Sequence, residues 1–119
     1  MSVSDAEMIE MLNRRAGIFK LQVQDGKPYY SDNNISVFIL KNEFTDRMYG
    51  VAIAFKKERY LILYRIWGID PDFPIYFRII DGKLKYLRNI PITKRRKNII
   101  DALMMKYPEA TACLATILI

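Results

Sequence analysis

The sequence predicts an α+β domain built on a single antiparallel sheet of about six to seven strands, with an N-terminal helix and a second helix before the C-terminal strand. Three observations lead there. Helix-start, helix-period and helix-stop signals coincide over residues 4–17. Apolar residues then recur at every second position from Ile18 to Arg88. A second helical pattern follows only after Thr93. At 119 residues, with 51% apolar and 27% charged side chains, the chain suits one domain over residues 1–119 and can build a core without staples.

Ser4 with Glu7 three residues on matches a capping box, in which side chains satisfy orphan helix amides. Met8, Ile9, Leu12 and Ala16 follow at helical spacing. Arg14 and Arg15 suit the negative end of the dipole, and Gly17 supplies the stop. Phe19, Leu21 and Val23 alternate with Lys20, Gln22 and Gln24, the mark of a half-buried strand. Asp25-Gly26 is a hairpin pair, and Pro28-Tyr29-Tyr30 begins a short edge return. Ser31 to Asn34 is turn chemistry, and the apolar run Val37 to Leu40 predicts a strand covered on both faces.

Tyr49, Val51, Ile53 and Phe55 alternate with Gly50, Ala52 and Ala54. The large residues would fill the core, and the small ones would let a helix or another backbone come close on the opposite face. Lys56 to Arg59 forms a charged turn, and Tyr60 to Trp67 is an aromatic and β-branched strand. The two prolines of Gly68 to Pro74 mark a loop. Ile75 to Ile80 and Lys83 to Leu87 are strands around a second hairpin pair, Asp81-Gly82. Thr93 caps the second helix, whose Ile99, Ile100, Leu103, Met104 and Tyr107 share a face and which ends at Pro108. Ala110 to Ile119, free of charged side chains, reads as a closing strand. An exposed edge of that kind invites aggregation, which places it inside the sheet or across a dimer interface.

Several chemistries are excluded. There is no histidine, so Ser-His and Cys-His nucleophile pairs cannot form, and with one cysteine the usual zinc ligands are missing. None of the five glycines stands at the spacing of a dinucleotide or P-loop phosphate site. No cofactor, no metal and no catalytic residue is expected. Asp70 and Asp72 flank Pro71, and carboxylates with a nearby lysine could serve a magnesium-dependent nuclease, but Asp-Pro-Asp is also ordinary loop chemistry. The acidic start, with Asp5, Glu7 and Glu10, lacks a signal-peptide pattern, and the apolar stretches are about half a membrane span. A cytoplasmic protein, or a nuclear one in a eukaryote, is expected, and not a secreted one.

Charge is the departure from average. Residues 1–55 carry six basic and seven acidic side chains, a net of −1, whereas residues 56–119 carry thirteen and six, a net of +7. Lys94, Arg95, Arg96 and Lys97 fall in the first turn of the second helix, where cations oppose the dipole and an anion would be welcome. Lys83, Lys85 and Arg88 approach that segment in sequence, and Lys56, Lys57 and Arg59 are placed on a neighbouring turn. A positive groove joining Lys56, Lys85 and Arg95 is the arrangement this reading requires. Tyr60, Tyr64, Trp67, Tyr76, Phe77 and Tyr86 could stack bases on an exposed face, but alternation leaves neither side of the Tyr60 strand polar, which favours the core. The resulting expectation is a non-catalytic binding module for nucleic-acid phosphates. The alternative is a regulator or inhibitor that meets an acidic protein surface, or forms a homodimer through its C-terminal strand.

Overall fold

The computed structural model describes residues 3–17, 20–65, 75–87 and 94–118. Helix α1 spans Asp5–Ala16, and seven strands follow: β1 Leu21–Val23, β2 Tyr30–Ser31, β3 Ile35–Asn42, β4 Met48–Phe55, β5 Tyr60–Arg65, β6 Ile75–Ile80 and β7 Lys83–Tyr86. Helices α2, Lys94–Lys106, and α3, Pro108–Ile117, close the chain. All pairings are antiparallel, in the order β1–β3–β4–β5–β6–β7, with β2 also on β3. The predicted α+β class and single antiparallel sheet are what the chain forms.

The sheet is covered on both faces. Met8, Met11 and Leu12 of α1 pack on Phe38, Leu40, Leu61 and Phe77, with Ala52 and Ala54 beneath the helix. Leu103 and Tyr107 of α2 and Ala110 and Cys113 of α3 pack on Val51, Ile53, Phe55 and Ile62. The small/large alternation of β4 therefore sorts the two layers, its small residues admitting α1. Gly50 is fixed by crowding, because a Cβ there would lie 2.5 Å from the Tyr64 carbonyl oxygen. It sits where the β3–β4 register shifts, opposite Leu40.

Three local expectations are corrected. The segment after Pro108 is a helix, not a closing strand. Pro108 starts it at a position that needs no amide donor, Glu109 suits the first turn, and Ala110, Cys113, Leu114 and Ile117 recur at helical spacing. Self-association through a C-terminal strand falls with it. Asp25 and Gly26 do adopt the left-handed pair (φ 58° and 62°), yet β1 and β2 both pair with β3, so the turn offsets one edge instead of making a hairpin. Helix α1 does end at Gly17 as expected, with that residue in the right-handed region (φ −57°). Ser4 caps Glu7 N–H at 3.2 Å, but Glu7 accepts from the Ser4 hydroxyl, which is half of the expected box. Asp81-Gly82 is the hairpin expected, pairing Ile80 with Lys83. Thr93 and the 66–74 segment lie outside the described residues.

Candidate functional site

The β6–β7 hairpin builds a cationic face. Its two-residue turn sets Arg78 directly opposite Lys85, and Lys83 stands two residues from Lys85 on the same side. Tyr60 of β5 lies opposite Arg78, whose guanidinium stands over the Tyr60 ring at 5.4 Å. Lys83, Lys85 and Arg78 are exposed and form no ion pair among the described residues. Like charges placed opposite each other destabilise a strand pair, so the hairpin bears a cost that a bound anion would remove.

The β4–β5 turn joins this end of the sheet. Arg59 accepts from Ile79 N–H at 2.9 Å, and its Nε donates back to the Ile79 carbonyl at 3.2 Å, with Lys57 exposed beside it. Sequence reasoning had named Lys57, Arg59, Lys83 and Lys85 from separate stretches, and the fold brings them to one end of the sheet. It missed Arg78. The hairpin arithmetic that pairs 80 with 83 also pairs 78 with 85, so the signal was there.

Lys56 does not belong to that face. It is buried, and its ammonium donates to Asp5 Oδ1 at 3.1 Å, Ser31 Oγ at 3.0 Å and the Asp32 carbonyl at 2.6 Å. Three N–H donors are thereby spent, leaving none for an external phosphate. Asp5 also accepts from Ser31 and Ser36 hydroxyls. Burial pushes the Asp5 carboxyl up, but the hydrogen bonds from Ser31, Ser36 and Lys56 outweigh it and hold the group below its ordinary value. This centre pins the start of α1 to β2, β3 and the β4–β5 turn.

The cationic first turn of α2 is apart as well. Tyr107 donates to Glu58 at 2.7 Å and Lys106 bridges the same carboxylate at 3.2 Å, fixing the helix end at the β4–β5 turn. Ile100 and Met104, in the middle of α2, pack in the same layer as Tyr64 near the far end of β5, and burial there pushes the Tyr64 phenol up to about 12. At about 1.5 Å per residue, Arg95 is then roughly 16 Å from Lys106, toward the other end of the sheet. The helix does begin at Lys94, with no acidic residue in its first turn, so the conflict between cations and dipole stands. With Lys56 buried and paired, the expected groove through Lys56, Lys85 and Arg95 loses its first member. Arg88, Asp70, Asp72 and Trp67 lie outside the described residues.

Most aromatic rings are committed to packing: Tyr64 and Tyr76 lie with the α2–α3 layer and Phe77 with the α1 layer. Among the described residues, no three of His, Cys, Asp and Glu gather as a metal site, and no helix is long and apolar enough to cross a membrane. Comparison with protein-family models, curated proteins and solved structures finds no match.

Proposed function

We propose that the chain is a non-catalytic module that binds single-stranded nucleic acid through the β6–β7 face, with Arg78, Lys83 and Lys85 contacting phosphates. What carries the reading is Arg78 opposite Lys85 with no ion pair for either among the described residues, in the half of the chain that holds the +7 net charge. Phosphate oxygens complement such a row, and contacts to phosphates are tolerant of sequence. Lys57 and Arg59 extend the row, and the sequence offers a second run of cations, Lys94 to Lys97, at the start of the described α2.

Fluorescence anisotropy with a labelled oligouridylate and its deoxy counterpart tests this. The Arg78→Ala, Lys83→Ala, Lys85→Ala triple variant should lose affinity by tenfold or more with its circular dichroism unchanged. Unchanged affinity would discard the reading. A second reading, capture of an acidic protein segment as an added strand, is favoured by β7 standing at the end of the strand order among the described residues. Binding that prefers an acidic peptide over the oligonucleotides would select it.

A further inference from the structure

On the opposite face of the sheet, beneath the second half of α1, lies a cavity of about 260 Å³. Its floor is apolar, made by Leu40, Leu61, Leu63 and Phe77, and its polar groups are Arg15, Arg65, Tyr49 and Tyr86. Among the described residues, no aspartate or glutamate lines it. Leu40 and Arg65 stand on either side of Gly50 across three strands, which puts the guanidinium-bearing residue next to the leucine floor.

Both guanidiniums are underused. The Nε of Arg65 is enclosed and has no hydrogen-bond partner among the described residues. Arg15 stacks over Phe77 at 4.8 Å and Tyr86 at 5.9 Å, and its contact with the Leu84 carbonyl is long, 3.5 Å. An enclosed N–H left unpaired is costly, and the side-on pair of Nε and a terminal nitrogen matches the two oxygens of a carboxylate. At about 30 Å³ per water the cavity holds roughly nine waters' worth of matter, the size of a single short chain.

We propose that this cavity binds an apolar monocarboxylate of about eight carbons, with the carboxylate on Arg65 and Arg15 and the chain over the leucine floor. The site is separate from the β6–β7 face and stands or falls independently of nucleic-acid binding. Isothermal titration calorimetry with octanoate, 1-octanol and acetate on the full chain tests it. Octanoate should bind saturably, about ten- to hundredfold tighter than octanol, as a charge-assisted hydrogen bond allows, and acetate should not bind. In Arg65→Met the preference for octanoate over octanol should disappear, and Leu63→Trp, which fills the floor, should remove binding of both. Equal affinity for octanoate and octanol in the native chain, no saturable octanoate binding, or a folded Arg65→Met that keeps the preference would each overturn the proposal. Should Arg65→Met fail to fold, the three-ligand comparison on the native chain decides.

Discussion

Lys56 and Lys85 are the same side chain in two surroundings, and the contrast separates structural charge from available charge. Lys56 is buried, and each of its donors meets an oxygen, one of them on the Asp5 carboxylate. Lys85 is exposed, faces Arg78 across the strand pair and has no ion pair among the described residues. The first arrangement satisfies itself. The second leaves two like charges facing each other with no counter-ion among the described residues. A basic count alone treats the two alike, and only the fold tells them apart.

Removing the counter-ion from the first region should give the largest effect. Asp5→Ala strands an enclosed ammonium and two hydroxyls, and should cost roughly 2–4 kcal/mol in urea unfolding while leaving oligonucleotide affinity unchanged. A cost below about 0.5 kcal/mol would mean that Lys56 is not held by Asp5.

Acid should do the same chemically. Asp5 and Glu58 are both held below their ordinary values in the fold: burial raises each, but hydrogen bonds from Ser31, Ser36 and Lys56, and from Tyr107 and Lys106, prevail. A lowered folded value means the stabilisation is fully present above the unfolded carboxylate range and is lost as pH falls through the folded values. Stability should therefore decline below about pH 4. In Asp5→Ala that decline should be shallower.

The smallest effect comes from converting the second region into the first. Lys85→Glu puts a carboxylate opposite Arg78 and should raise stability by about 0.2–1 kcal/mol, while weakening oligonucleotide binding. A loss of stability would show that the two cations are not close enough to repel.

The architecture behind this contrast was partly legible in the sequence, whereas the separation of Lys56 from Lys85 was not, and both have physical causes. Asp81-Gly82 fixes a two-residue turn, and from that turn the opposition of Arg78 and Lys85 follows by counting. The alternation in β4 likewise foretold a close helix over Ala52 and Ala54. Asp25-Gly26 carries the same local signal as Asp81-Gly82, but β3 offers one edge long enough for both β1 and β2, so pairing overrode the turn. Asp5 and Lys56 are brought together only by docking α1 on the sheet, which no local pattern encodes. The run from Ala110 to Ile119 was misread because an uncharged apolar run suits a buried strand or a helix alike, and the helical spacing of Ala110, Cys113 and Ile117 was the deciding clue.

The most direct measurement is the salt dependence of oligouridylate binding by the native chain and by the Arg78→Ala, Lys83→Ala, Lys85→Ala variant. Each phosphate neutralised on a single strand contributes about −0.7 to the slope of log affinity against log salt, so the variant's slope should be shallower by about 2. Identical slopes for the two proteins would show that the β6–β7 cations touch no phosphate, and the central distinction between available and structural charge would fail.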